Sequence, residues 1–154
     1  MKATMKQAYM DVAERFAKES HAVRAKVGAI IVKDNRIISI GYNGMPSGWE
    51  NECEHNIHHH ELGTTTSVTK AEVLHAETNA IAKLAQSSES STGSTLFCTH
   101  EPCIECAKLI HQSGIRHVIF KNSYDAAKGT GSDFLEQSGC VVEKLEDQHE
   151  SSTT

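Results

Sequence analysis

The sequence predicts an α/β fold, with a mixed five-stranded sheet in the middle of a three-layer α/β/α domain. Short apolar runs rich in β-branched residues alternate with amphipathic segments of helical period. The first two runs follow each other as a hairpin, and each later run is preceded by a helix, an order typical of a sheet with helices on both faces. No repeat or second domain is visible. We therefore expect residues 1–147 to form one domain and the polar residues 148–154 to form a disordered tail.

The first half of the chain predicts a helix and a hairpin. A helix over residues 4–19 is indicated by apolar residues at helical spacing: Met5, Ala8, Val12 and Phe16. The apolar runs 27–32 and 36–40 are joined by an Asp-Asn turn, which is typical of a β-hairpin. Residues 41–48 form a glycine-rich loop, and we expect an irregular chain from there to about residue 69.

The second half predicts helices and strands in alternation. The predicted helices cover residues 74–86, 102–113 and 133–138, and the strands cover 95–99, 118–120 and the residues from 141. Pro102 suits the first turn of a helix, and Gly114 suits the left-handed residue that ends one.

Composition excludes several classes of function. The formal net charge of −5 and the aromatic content of 5% argue against a surface that binds nucleic acid. No apolar run approaches the roughly 18 residues that span a bilayer, and the first 20 residues lack the apolar stretch of a secretion signal. We therefore expect a cytoplasmic protein that acts on a small substrate and binds neither membrane nor nucleic acid.

Two short motifs at predicted helix starts carry metal-binding side chains: His75-Ala76-Glu77 and Pro102-Cys103-Ile104-Glu105-Cys106. One imidazole and two thiolates supply three ligands of a tetrahedral zinc and leave the fourth position for water, as in catalytic sites. The spacing of Cys103 and Cys106 lets both sulfurs face the same way on a first helical turn, whose positive end favours thiolates. We expect one catalytic zinc per chain, held by His75, Cys103 and Cys106, with Glu77 as the general acid and base.

The two residues of the first motif impose a geometric condition. At 3.6 residues per turn, His75 and Glu77 point about 200° apart on an ideal helix. They converge on one ion only if the metal lies beyond the N-terminal end of that helix.

Other interpretations of the cysteine pair explain fewer of the residues in the two motifs. A C-x-x-C pair is also found in structural zinc sites and in redox sites. A redox site makes no use of His75 or Glu77, and a structural site needs a fourth ligand. A binding module stabilised by a closed zinc site is the corresponding alternative to an enzyme.

The motifs H-x-E and P-C-x-x-C together are the signature of zinc-dependent deaminases of nucleobases. Beyond this signature, four segments resemble the deoxycytidylate (dCMP) deaminases of the cytidine deaminase superfamily: 24–32 (RAKVGAIIV), 36–48 (RIISIGYNGMPSG), 74–81 (LHAETNAI) and 102–108 (PCIECAK). The resemblance covers about residues 5–145 and implies a cytidine-deaminase-like fold. It implies hydrolysis of dCMP to dUMP and ammonia, which supplies dUMP for thymidylate synthesis. The zinc motifs are shared with tRNA adenosine, cytidine and guanine deaminases, which remain the alternative.

The resemblance also implies roles for individual residues. Glu77 takes the proton of the attacking water, protonates N3 of the ring and assists the departing amine. Asn43 hydrogen-bonds the deoxyribose, and Tyr124 contacts the nucleotide. Arg24 and Lys26 are candidates for the phosphate because of their charge, although Arg24 is equally compatible with a plain surface cation.

Members of this family are often hexamers controlled by nucleotides. The resemblance implies a homo-oligomer that dCTP activates, with Mg²⁺, and that dTTP inhibits. The effector contacts would come from the glycine-rich region, namely Asn43, Gly44 and Gly48. Glycines in a loop also simply form turns.

A histidine-rich segment follows Cys53. Some dCMP deaminases carry a second, structural zinc in this region, and the candidate ligands for it are Cys53, His21, His58 and His60. A solvent-exposed histidine loop explains the same residues. His100 and His111 are interpreted as surface or packing residues rather than metal ligands.

Overall fold

The computed structural model of this protein describes residues 1–123 and 130–147. In chain order the elements are α1 (Ala3–Ala17), β1 (Gly28–Lys33), β2 (Arg36–Tyr42), β3 (Glu54–His59), β4 (Thr64–Thr69), α2 (Ala76–Ala85), β5 (Thr95–His100), α3 (Ile104–Gln112), β6 (His117–Asn122), α4 (Gly131–Gln137) and β7 (Val141–Lys144). The predicted tail, residues 148–154, lies outside the described residues, as does Tyr124.

The central sheet has five strands in the order β2-β1-β5-β6-β7. Strand β1 is antiparallel to β2 and to β5, whereas β5, β6 and β7 are parallel. The hairpin turn between β1 and β2 consists of Asp34 and Asn35, whose φ values of 51° and 60° suit residues of this type in a tight turn. The predicted mixed sheet is confirmed.

Helices cover both faces of this sheet because alternate residues of each strand point to opposite sides. On one face, Met10 of α1 packs with Ile30 and Phe97 in a cluster of buried side chains. On the other face, the neighbouring β1 residues Ala29 and Ile31 belong to a cluster that includes side chains of α2, α3 and α4. The three-layer α/β/α arrangement is therefore confirmed.

The segment before α2 differs from the prediction. Residues 54–69, expected to be irregular, form the β3–β4 hairpin, a separate two-stranded sheet. The prediction was wrong because the hairpin has hardly any apolar alternation: its strands read EHNIHH and TTTSVT, and nearly all their side chains are exposed. Its pairing rests on backbone hydrogen bonds, which hydrophobic periodicity does not reveal.

The helices that carry the two motifs both begin two positions later than predicted. His75 is the N-cap of α2 and Cys103 is the N-cap of α3, so both lie just outside their helices in extended conformation. Strand β2 passes very close to the start of α2 at Gly41, where a Cβ atom would meet the carbonyl oxygen of Ala76. A glycine at this point fixes the depth at which α2 packs on the sheet.

No helix in the described ranges combines the length and the apolar character needed to cross a membrane.

Candidate active site

The N-terminal ends of α2 and α3 meet, and this brings three metal-binding side chains together. The Nδ1 atom of His75 lies 3.2 Å from Sγ of Cys106 and 3.7 Å from Sγ of Cys103. All three ligand atoms lie within 4.8 Å of one another, the single such cluster within residues 1–123 and 130–147. Nitrogen and sulfur ligands of a tetrahedral zinc are about 3.5 Å apart, given their usual bond lengths to the metal. The donor set and its spacing therefore fit a zinc ion.

The cap position of His75 resolves the geometric condition set by the first motif. With φ −78° and ψ 152°, His75 is extended rather than helical, so the angle expected between helical neighbours does not apply. Glu77 lies in the first turn of α2. The ligand cluster is at the N-terminal end of the helix, as the sequence required.

Glu77 is buried beside the cluster but is not one of its three ligands. The side chain is 4% exposed, and its carboxylate lies 3.1 Å from Sγ of Cys98 and 3.5 Å from Sγ of Cys106. Burial raises the pKa of Cys98 well above its ordinary value, so this thiol stays protonated and donates to the carboxylate. A carboxylate so placed can accept a proton from a water molecule and pass it on.

Negative charge is concentrated at this point. Hydrogen bonds from Cys106 and then His75 lower the pKa of Cys103 to about 3, so its sulfur is a thiolate. The hydrogen bond to Cys103, burial and the charge of Glu77 raise the pKa of Cys106. Contact with Cys103 raises the pKa of His75, against the effect of its burial. A second thiolate, at Cys106, is thus unfavourable unless a cation compensates its charge. A bound metal ion would supply that positive charge.

A pocket opens beside the cluster and includes some of the residues predicted for the substrate. Arg24, Asn43 and Glu77 line it together with His75 and Cys103. Lys26 is exposed and is not among the lining residues, and Tyr124 lies outside the described residues.

Asn43 holds the chain segment that precedes β1. Its Oδ1 accepts the backbone N–H of Val27 at 2.9 Å, and its Nδ2 donates to the carbonyl of Ala25 at 2.8 Å. A primary amide has two hydrogens and two lone pairs. One donor and one acceptor of Asn43 therefore remain for a ligand.

Arg24 is held in the pocket wall by the β3–β4 hairpin. Glu54 accepts the backbone N–H groups of Val23 and Arg24 at 2.8 and 3.1 Å, and the Arg24 guanidinium is 3.5 Å from Oγ1 of Thr69. Both hairpin residues line the pocket, although sequence reasoning assigned them no role. No sequence signal pointed to them, because the hairpin itself was not recognised.

His100 also lines the pocket, although it does not belong to the metal-binding cluster found in the described residues. A sequence signal for its place near the site was its position directly before the Glu-Pro-Cys segment, at the end of β5. His111 does pack as expected, edge to face with Phe134 at 6.2 Å between ring centroids.

The four candidate ligands of a second zinc are not brought together. Cys53 is 1% exposed and packs with Ala22 and Val73, and burial raises the pKa of its thiol. His58 lies on the exposed hairpin with Nδ1 3.0 Å from Oγ1 of Thr65. His21 and His60 are exposed and join no metal-binding cluster among the described residues. The expectation of a second site at these residues is corrected: Cys53 belongs to a small apolar core.

The glycine-rich loop is tied to the chain just before His75. Gly44 and Leu74 exchange two backbone hydrogen bonds of 3.1 and 2.8 Å. Gly48 has φ +87°, a conformation that favours glycine, and neither glycine lines the pocket. Their role in effector binding stays a prediction.

Comparisons with known proteins agree with this geometry. Residues 3–122 match the family model of the cytidine and deoxycytidylate deaminase zinc-binding region. The chain is 33% identical to the deoxycytidylate deaminase of Enterobacteria phage T4, over 86% of each chain. It is 35% identical to the human deoxycytidylate deaminase, over 82% of this chain and 71% of the human one. The dCMP deaminase of cyanophage S-TIM5, solved in complex with dCMP and dUMP, superimposes with a TM-score of 0.82 at 47% identity, covering 94% and 99% of the two chains.

Proposed function

The chain belongs to the cytidine and deoxycytidylate deaminase family, and we propose that it hydrolyses dCMP to dUMP and ammonia. The observation that carries this proposal is the cluster of His75, Cys103 and Cys106 with the carboxylate of Glu77 beside it. The choice of dCMP rests on the similarity to dCMP deaminases, one of which was solved with dCMP and dUMP. We take residues 1–147 as one deaminase domain.

His75, Cys103 and Cys106 are the residues that would hold the zinc. When bound, zinc lowers the pKa of a coordinated water towards neutrality and so makes a nucleophile available at pH 7. The protein's own contribution is to fix the three ligands on two helix ends.

Glu77 moves the protons in the proposed reaction. Its carboxylate accepts a proton from the attacking water and delivers it to N3 of the cytosine ring, while the water oxygen bonds to C4. The second water proton then goes to the exocyclic nitrogen, the C4–N4 bond breaks, and ammonia leaves. Burial and the thiol of Cys98 hold the carboxylate in place for both transfers.

The remaining pocket residues bind the nucleotide in this proposal. Asn43 has a free donor and acceptor for the deoxyribose, and Arg24 is a cation in the pocket wall for the phosphate. Lys26 lies on the same chain segment and contributes to the phosphate from outside the pocket. Tyr124 contacts the nucleotide.

A deaminase that acts on RNA is the main alternative, and a substrate panel separates the two. The purified protein is incubated with dCMP, dCTP, cytidine, guanine and a tRNA anticodon stem, and ammonia release is measured. We expect turnover of dCMP. Turnover of the tRNA stem alone would contradict the proposal.

The proposal extends to assembly, regulation and location. We expect a homohexamer that dCTP activates with Mg²⁺ and that dTTP inhibits, and that supplies dUMP for thymidylate synthesis. Light scattering gives the oligomeric state, and dCMP turnover with each effector tests the regulation. A cytoplasmic location agrees with five cysteines that form no disulfide.

A further inference from the structure

The pocket wall contains a histidine that the proposed mechanism does not use. His100 is the last residue of β5, is half-buried, and precedes the metal-binding Cys103 by three positions. Glu77 and Cys103 line the same pocket as His100. His100 therefore shares the pocket wall with the proposed proton carrier and with one of the candidate metal ligands.

The hydroxyl of Thr99 determines which ring nitrogen of His100 carries the hydrogen. Oγ1 of Thr99 accepts the backbone N–H of Gly28 at 3.1 Å and lies 2.9 Å from Nδ1 of His100. Thr99 is 3% exposed, so its hydroxyl proton has to be donated inside the protein. Among the contacts that this hydroxyl makes in the described chain, Nδ1 is the acceptor. The hydrogen of the imidazole is therefore on Nε2.

The ring is neutral and its second nitrogen is available. Burial lowers the pKa of His100, and the charge of Glu77 acts in the opposite direction. Nε2 makes no hydrogen bond with the protein in the part of the chain that the structure describes. A neutral imidazole thus presents one fixed N–H donor at the pocket surface.

A donor at this position is distinctive because its neighbours are acceptors. Glu77, Glu101 and Cys103 line the same pocket, and their carboxylate and thiolate groups accept hydrogen bonds but do not donate them. A pyrimidine nucleotide carries acceptor oxygens on its base, sugar and phosphate, and each loses its hydrogen bonds to water on entering the pocket. Each therefore needs a donor from the protein.

We propose that His100 is a substrate-binding residue that determines specificity, donating its Nε2–H to an acceptor oxygen of the pyrimidine nucleotide. The proposal rests on the proposed function, because dCMP is the substrate in question.

The test compares a variant without a donor with one that keeps it. His100→Leu removes the N–H, and His100→Gln places an amide N–H at a similar reach. We expect His100→Leu to raise KM for dCMP about tenfold, with kcat within about threefold of the wild type, since one hydrogen bond of this kind corresponds to about that factor. His100→Gln should restore KM to within about threefold. If His100→Leu does not fold, His100→Ala replaces it as the variant without a donor.

Removing the hydroxyl tests the tautomer. Thr99→Val should raise KM about threefold, because the imidazole hydrogen is then free to occupy either nitrogen, whereas Thr99→Ser should leave KM unchanged. Zinc content and melting temperature are measured for every variant.

Deoxycytidine, which has no phosphate, identifies the oxygen. If the preference for dCMP over deoxycytidine falls in His100→Leu, the acceptor is on the phosphate. If that preference is unchanged while KM rises for both substrates, the acceptor is on the base or sugar. Either result supports the role of His100 as a hydrogen-bond donor to the substrate.

Two results would overturn the inference: a KM for His100→Leu within twofold of the wild type, or equal KM increases in His100→Leu and His100→Gln. The wild-type protein is assayed in parallel so that failure of this inference can be distinguished from failure of the proposed function. If the wild type does not deaminate dCMP, the proposed function itself is contradicted.

Discussion

Nδ1 of His75 lies 3.2 Å from Sγ of Cys106, although 31 positions separate the two residues in the sequence. The contact joins the ends of α2 and α3, so the metal site also connects two helices that pack on the same face of the sheet. Mutation of a metal ligand should therefore reduce both zinc binding and stability, whereas mutation of Glu77 should reduce activity alone.

The role of Glu77 is tested by removing its charge while keeping its shape. We expect Glu77→Gln to keep the fold and the bound zinc but to lower kcat for dCMP by about 10³-fold, within the range known for lost proton transfer. Steady-state kinetics, zinc analysis and thermal melting measure the three quantities. Deamination at the wild-type rate would show that Glu77 does not carry the proton.

The metal ligands are tested through Cys103→Ala. This change should remove both zinc and stability, because metal binding is coupled to folding at thiolate sites. Cys140→Ala is a matched control, since Cys140 is a buried cysteine whose thiol contacts the carbonyl of Ile115 rather than the metal site. Elemental analysis of the purified protein should give one zinc per chain, and Cys53→Ala should not change that count. Full zinc content in Cys103→Ala would exclude this residue as a ligand.

Arg24 and Lys26 form a matched pair on one chain segment. Arg24 lines the pocket, whereas Lys26 does not. We expect Arg24→Ala to raise KM for dCMP by about 10- to 100-fold, the value of a charge-assisted hydrogen bond, and Lys26→Ala to change it by less than about threefold. Neither substitution should change KM for deoxycytidine, because this substrate has no phosphate. A larger effect of Lys26→Ala than of Arg24→Ala would reverse the assignment.

Stability at acidic pH should depend on Glu143, which joins α1 to β7. Its carboxylate lies 2.9 Å from Nζ of Lys6 and 3.3 Å from Nε2 of His117. The hydrogen bond from Lys6 lowers the pKa of Glu143. Because the pKa of Glu143 is lower in the folded protein than in the unfolded chain, the ion pair stabilises the fold fully above the unfolded-chain pKa of about 4.3. This stabilisation is lost as the pH falls through the lower pKa of the folded protein.

Glu143→Gln is therefore expected to lower Tm by about 1–3 °C at pH 7, a small value because the pair is partly exposed to solvent. The difference from the wild type should shrink as the pH falls through the lowered pKa of the folded protein and vanish below it. Glu105→Gln is the control, since Glu105 pairs with Lys108 on an exposed surface. A Glu143→Gln deficit that persists at low pH would point to packing rather than charge.

Several features of this protein follow from local sequence alone. The order of helices and strands is set by apolar periodicity and by glycines and prolines, which act over a few residues. The same holds for the predicted site residues: Cys103 and Cys106 lie at the N-cap and in the first turn of one helix, and His75 and Glu77 at the N-cap and in the first turn of another.

Features that depend on contacts between distant segments needed the tertiary structure. The β3–β4 hairpin is held by backbone pairing with little apolar signal, and it fixes Arg24 in the pocket through Glu54. Whether Cys53 is a ligand or a core residue, and whether His100 lines the pocket or lies elsewhere on the surface, depends on which surfaces the packing of the chain covers. Periodicity determines the elements, but burial and long-range hydrogen bonds determine which side chains reach the site.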